Sequence, residues 1–353
     1  MNQDIKNNEN KIEEVARKVK KTGNTFTTVM VSIILISSVL LAFYTIPLPF
    51  TYQGPGKFIP AAEIVEVEGG KDHSGQIIIT SVVTEQANIL LYINSLFNPN
   101  ADITPLEQPV SQDSSALYQA QAGPDPYKIQ LKESIYRAKV IALQQMGFEL
   151  NVHPDGVQVV FVPENENRKY LQPGDIITEI MGIRVRTQKI FTRYIARAAR
   201  QRTEFSIQYI RDGNNNKGYI YPEIIGNQVW PGVFLQNHMA RVALPKTIFI
   251  KDFEFTGSSA GLPICLEIIN QLQEEDITHG KKIAGTGHLN EDGTLEPVEG
   301  VKYKVLGAEK MGCDYLICSA ENVKTAEKTA KEMKIIGVSS VSDALEKLNS
   351  LKL

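Results

Sequence analysis

Residues 26–46 (FTTVMVSIILISSVLLAFYTI) form an unbroken stretch without charge. As a helix at 1.5 Å per residue it is roughly 31 Å long, close to the thickness of bilayer hydrocarbon. A buried core helix would show a polar face, but here only scattered Ser and Thr interrupt the apolar run. A cleaved signal peptide would have a shorter apolar core and an A-x-A-like exit, which Ala42-Phe43-Tyr44 does not supply. The pattern therefore predicts a retained transmembrane helix over 25–46. Arg17, Lys18, Lys20 and Lys21 sit just before it, and no Lys or Arg follows until Lys57. The positive-inside rule then keeps residues 1–24 as a cytoplasmic tail and puts the bulk of the chain outside the cell membrane. The tail is polar and rich in Asn, Lys and Glu, which predicts flexibility with some helix over 10–21.

Beyond the span, Pro47, Pro49, Pro55 and Pro60 punctuate the exit. Two alternating runs follow, EIVEVE (63–68) and QIIITSVV (76–83), separated by GGKDHSG, and read as a β-hairpin. Residues 98–126 are rich in Asn, Pro, Ser, Gln and Asp, and lack apolar periodicity, so they are predicted to be a long exposed loop. Residues 128–146 have helical spacing, with Ile135, Ala138, Ala142 and Leu143 toward one face and Gly147 as the C-terminal stop. VQVVFV (157–162) is strand-like. Arg193–Arg202 is predicted to be a basic helix, EFSIQYIR (204–211) a strand, and DGNNNKG the turn after it.

Composition narrows the function classes. The chain has 353 residues, enough for about two domains, with 42% hydrophobic and 22% charged positions. Its 37 basic and 40 acidic residues give a net charge of −3, so there is no bulk basic field for nucleic acid. Three cysteines cannot build a disulfide framework, and Cys265, Cys313 and Cys318 lie in apolar runs and read as core. No GxxxxGK[ST] stretch provides a nucleotide-binding loop. The five histidines show no metal-ligand spacing, so no metal or other cofactor is expected.

The stretch from Leu171 to Gly182 reads L-x-P-G-D-x-I-x-x-I-x-G. Over roughly 145–212 it resembles a PDZ domain, a module that takes extended peptide on a sheet edge. Met181 stands where many such domains have Asn or Asp before the Gly, a departure that bears on a turn.

The residues that could carry chemistry lie between 248 and 312. IFIKDFEF (248–255) is predicted to be a strand, followed by Thr256-Gly257-Ser258-Ser259-Ala260-Gly261-Leu262 and an apolar helix ending near Gln273. Free N–H groups at a helix start favour a developing negative charge, so a serine there is well sited as a nucleophile. A serine is also an ordinary helix cap, and a nucleophile needs a base. In the helix VKYKVLGAEKMG (301–312), with steps of about 100° from Val301, Val305 falls at about 40°, Ala308 at about −20° and Met311 at about −80°. Lys304 falls at about −60°, inside this apolar arc, whereas Lys302 at about 100° and Lys310 at about 180° lie outside it. A lysine on the buried face loses hydration, which favours the neutral amine, and a neutral amine can accept a serine proton. The alternative is a lysine snorkelling from the edge of the stripe.

GSSAG, followed 45 residues after Ser259 by PVEGVKYK at Lys304, closely resembles the proteolytic domain of the Lon family of Ser-Lys peptidases. Between the two, Ile283-Ala284-Gly285-Thr286-Gly287 resembles the strand whose Thr-Gly supports the lysine in that family. The resemblance covers about 240–345. With the anchor and PDZ-like module ahead of it, the chain looks like a membrane-anchored PDZ-containing Lon-like protease of Gram-positive-type bacteria. It implies an α+β fold in which the module interrupts the peptidase domain, so that 60–97 belongs beside 220–353. The expected organisation is a strand segment and loop over 47–125, the PDZ-like module with its preceding helix over 126–218, and the proteolytic domain over 219–353. The implied activity is ATP-independent hydrolysis of protein or peptide substrates, with Ser259 as nucleophile, Lys304 as base and Thr286 orienting Lys304. Rings are common in the family, so a homo-oligomer is an expectation. Three departures bear on the site. Ser258 stands for the usual Pro, Glu299 for a Gly, and Pro263 sits four residues after Ser259, so the helix should start later or bend. The competing reading is a non-catalytic membrane scaffold that binds peptide tails through the PDZ-like module.

Overall fold

The computed structural model describes residues 27–106, 125–199, 201–253 and 257–352, and its contacts divide the chain into two units. The expected tail over 1–24 and most of the expected loop, 107–124, lie outside the described residues.

The first unit begins with α1 (Thr27–Thr45), a helix of mean hydropathy 2.2 with none of its residues buried. It is long and apolar enough to cross a membrane. The prolines after it do not break the chain into turns. Pro47–Pro60 is one strand, β1, and Pro47 and Pro60 are its two ends. α2 (Ile89–Phe97) is capped by Asn88, whose side chain accepts from the Leu91 N–H. Asp102–Pro105 is a strand, β4, within the segment expected to be loop.

The second unit holds a layered α/β core. The expected hairpin is not formed. β2 (Val65–Val67) pairs antiparallel with β13 (Ile248–Ile250), and β3 (Gln76–Asn88) pairs in parallel with β14 (Lys282–Gly285). β14 pairs in turn with β17 (Tyr315–Ser319), and β17 with β18 (Lys334–Val338), again in parallel. β1 lies on the other side of β3. The physical reason is visible in QIIITSVV. A run apolar on both faces suits a central parallel strand covered on both sides better than one arm of a half-exposed hairpin.

Alternate residues of these strands feed two cores. Ile77, Ile79, Ile283 and Ile317 pack on one face with α3 (Pro126–Gln145), α5 (Gly261–Leu272) and α8 (Val341–Asn349). Ile78, Ala284, Leu316 and Cys318 pack on the other with α6 (Val301–Lys310) and α7 (Val323–Thr329). All three cysteines are buried and free. α3 stops as its sequence suggests: Gly147 adopts φ +85° and the Phe148 N–H donates to the Leu143 carbonyl.

Between α3 and β13 the chain builds a β-rich module with its own core around Phe191, Phe205, Ile177 and Ile180. β5 (Pro154–Phe161), β6 (Ile176–Ile180), β8 (Phe205–Arg211), β9 (Asn214–Ile220) and β12 (Phe234–Met239) form its sheet in the order β12-β5-β6-β8-β9, with β7 (Ile183–Arg184) beside β6. The basic helix starts and ends earlier than expected, as α4 (Gln188–Ala198) with Thr187 as its cap. The DGNNNKG turn is shorter than expected. Asp212 and Gly213, both at positive φ, make it alone, and Asn214–Lys217 continue as strand. Met181 and Gly182 also take positive φ, which accounts for the Asn or Asp usual at the first of these positions. Asp175 of the P-G-D turn is buried and paired with Arg211, and accepts from the Gln172 N–H.

Candidate active site

α5 and α6 cover opposite faces of the parallel sheet, and the site forms where both reach the end of β14. The predicted strand before Ser259 is short: β13 ends at Ile250, and residues 254–256 lie outside the described residues. α5 begins at Gly261, with Ala260 as its N-cap, so Ser259 precedes the helix. Pro263 is then the third helical residue, where no intrahelical N–H bond is lost. It packs closely on β14 at Gly285, where an added Cβ would fall 2.9 Å from Pro263 Cβ.

The turn after β14 clamps the loop that carries Ser259. The Gly287 N–H donates to the Ser259 carbonyl at 3.0 Å, and the Leu262 N–H donates to the Gly287 carbonyl at 3.3 Å. A side chain at Gly287 would collide with Leu295 and press on Leu262, so this approach needs glycine. From the other side Ser134 Oγ donates to the Ser258 carbonyl at 2.9 Å, and the Gly257 N–H reaches the Tyr127 carbonyl.

Lys304 projects from the first turn of α6 and is 3% exposed. Its Nζ lies 2.8 Å from Ser259 Oγ and 2.7 Å from Thr286 Oγ1. The three residues singled out in the sequence therefore meet in one place. Burial alone pushes the Lys304 amine down to about 7. Val301, Val305 and Ala308 are buried with it. Met311 departs from the expected arc: it caps the helix and is exposed, because the last turn runs past the sheet. Lys302 is not simply solvated. Its Nζ meets Asp102 Oδ2 at 2.5 Å, and the same carboxylate accepts from Tyr303 Oη at 2.7 Å. Gly300, at φ +65°, starts α6 tight against Val82, and Glu299 is exposed. Ser258 is not among the partners of Lys304 Nζ.

Several supporting residues carry no sequence signal. Ser134, Arg137 and Glu133 form a buried polar strip on α3. Arg137 donates to the Leu289 carbonyl of β15 (His288–Leu289) at 2.6 Å, and Glu133 accepts from the Met239 N–H and from Arg241. Charged residues at these spacings look like a solvated helix face. Only their partners, more than 100 residues away, reveal the difference. No group of three or more His, Cys, Asp or Glu able to hold a metal occurs among the described residues.

Residues 228–350 match the Lon protease (S16) C-terminal proteolytic domain. The Lon protease of Heliobacterium modesticaldum is 32% identical over 101 residues, which is 29% of this chain and 12% of that protein. The archaeal Lon protease of Halobacterium salinarum is 31% identical over 93 residues, 26% of this chain and 13% of that protein. The chain thus matches about an eighth of the length of these relatives. Among solved structures, the PDZ domain of an SdrC-like protein from Listeria monocytogenes is 26% identical and covers 24% of this chain and 93% of its own, at a TM-score of 0.22. Residues 228–350 are thus similar to the Lon-type (S16) proteolytic domain, in an α+β chain that also carries a β-rich module and an apolar N-terminal helix.

Proposed function

We propose that this chain is a membrane-tethered serine endopeptidase that works through a Ser259–Lys304 dyad. The observation that carries the reading is the buried Lys304 amine, within hydrogen-bond reach of both Ser259 Oγ and Thr286 Oγ1. In the neutral form its lone pair takes the Ser259 proton as Oγ attacks the scissile carbonyl. Thr286 Oγ1 orients the amine, and backbone N–H groups of the loop before α5 face the developing oxyanion. The Lys304 ammonium then protonates the leaving amine, which leaves an acyl-Ser259. Lys304, neutral again, next takes a proton from water, which attacks the ester; the ammonium finally returns a proton to Ser259 Oγ. None of these steps calls on ATP or a metal. The PDZ-like module recruits protein substrates by adding extended peptide to an end strand of its sheet, β9 or β12.

Ser259 Oγ should displace fluoride from a fluorophosphonate probe, forming an Oγ–P bond as Lys304 takes the hydroxyl proton. Ser259→Ala should lose the label and the cleavage of an unfolded protein, whereas Ser258→Ala should keep both. Labelling retained in Ser259→Ala, or lost only in Ser258→Ala, would reject Ser259 as nucleophile.

The same reading places the proteolytic domain outside the cell membrane, because the basic cluster ends at Lys21 and no positive charge follows before Lys57. Protease added to intact protoplasts should digest residues 47–353. Protection of that part would reverse the orientation.

A further inference from the structure

We propose that α2 is a second membrane contact, lying in the outer interface of the bilayer with Leu90, Ile93, Leu96 and Phe97 among the lipids. The inference rests on the reading of α1 as a membrane anchor and concerns a different part of the first unit.

The sequence of α2, ILLYINSLF, has no charge and a mainly apolar composition, yet none of its residues is buried. Its exposure is inverted relative to that of a soluble surface helix. At about 100° per residue, Leu96, Ile93, Phe97 and Leu90 fall within an arc of about 120°. These four are the most open apolar side chains of the helix, at 66%, 41%, 83% and 41% exposure. The two flanks of the arc are tied to protein: the Tyr92 ring packs on Phe50 at 5.5 Å, and Asn94 Oδ1 accepts from Tyr52 Oη at 3.3 Å. In water, such an arc would cost about 25 cal/mol for each Å² of apolar surface left exposed.

Two observations point to lipid as the occupant. First, the described part of the first unit, residues 27–52, 86–99 and 103–106, contains no Asp, Glu, Lys, Arg or His at all. A surface meant for water or a charged protein partner would carry some. Second, α2 is held close to the span. Phe50 follows the end of α1 by five residues, which can reach at most about 17 Å even fully extended. The helix that packs on Phe50 is therefore held within reach of the headgroups. Short apolar helices with Phe and Leu bind there through their apolar face.

The test uses the full chain in vesicles of phosphatidylcholine and phosphatidylglycerol, with part of the phosphatidylcholine dibrominated near the headgroup end of its acyl chains. The chain has one tryptophan, so Trp230→Phe gives a silent background. In it, Phe97→Trp should show blue-shifted emission, and brominated lipid should quench it by half or more. Tyr219→Trp, on β9, should be quenched by less than a tenth. Co-flotation with the vesicles separates the two ideas. A chain that floats while its tryptophan at position 97 emits as in water, unquenched, keeps the anchor and overturns the α2 contact. Blue-shifted emission without quenching would mean that a second copy or another protein covers the arc, and would overturn it too. A chain that does not float overturns the anchor and the inference with it.

Discussion

Replacing Lys304 should abolish turnover while leaving the fold intact. Lys304→Met keeps most of the side-chain volume and removes a buried amine, so its thermal stability should match or exceed that of the parent, with kcat down by about 10³-fold or more. Lys304→Ala should be equally inactive and less stable because it leaves a cavity. Lys304→Arg should be inactive, since a guanidinium keeps its proton at any working pH. Lys302→Ala should stay near the parental rate, because its contact with Asp102 is half-exposed and worth at most about 1 kcal/mol. The pH profile follows from burial. The amine titrates near 7. Below that value it carries a proton and has no lone pair to accept another, so kcat/KM should fall about tenfold per pH unit; above it the rate should level off. Full activity in Lys304→Met, or a rate that falls as pH rises through 7, would remove the Ser-Lys mechanism. Equal losses in the two alanine variants would remove the distinction between the helix faces.

Gly285→Ala should be among the most damaging substitutions of a single methyl group near the site. The new Cβ would sit 2.9 Å from Pro263 Cβ and 3.4 Å from its Cα. Pro263 has no χ1 freedom to yield, so α5 must lift away from β14. Overpacking of this kind costs about 1–3 kcal/mol. The functional cost should be larger. Ser259 leads into α5, while Thr286 adjoins Gly285, so the shift opens the Ser259–Lys304 contact directly. Misplacement approaching 1 Å costs on the order of 10² in rate. The expected result is a modest fall in Tm with a disproportionate fall in kcat and little change in KM. Parental kcat in a folded Gly285→Ala chain would show that the packing of α5 on β14 does not set the catalytic distance.

The cluster of Ser259, Thr286 and Lys304 was legible because each member stands beside a local signal. Ser259 sits among small residues before a helix, Thr286 ends an apolar strand, and Lys304 falls on the wrong side of its helix for a solvated lysine. The pairing of strands was less legible. EIVEVE and QIIITSVV flank a good turn, and nothing nearby reveals that their partners are β13 and β14, about 180 and 205 residues on. Asn214–Lys217 has poor strand propensity and joins a ladder only because Asp212 and Gly213 turn the chain so tightly. Glu133, Ser134 and Arg137 are polar in sequence and buried in structure. Tertiary partners decide that, and local pattern carries no trace of them.

The insertion of the module between α3 and β13 also orders events during synthesis. β3 is among the first strands made, yet one flank of it stays unpaired until β14 exists. The module closes on itself in between, since β5 and β12 are neighbours. Once it has folded, the residues from 154 to 239 no longer count as slack, and the gap that β3 must bridge shrinks accordingly. Until β14 is made, QIIITSVV is an open, uncharged edge. The edge of β3 is thus open to mispairing from its own synthesis until β14 is made, and Ser259, Thr286 and Lys304 all arrive only in the last hundred residues.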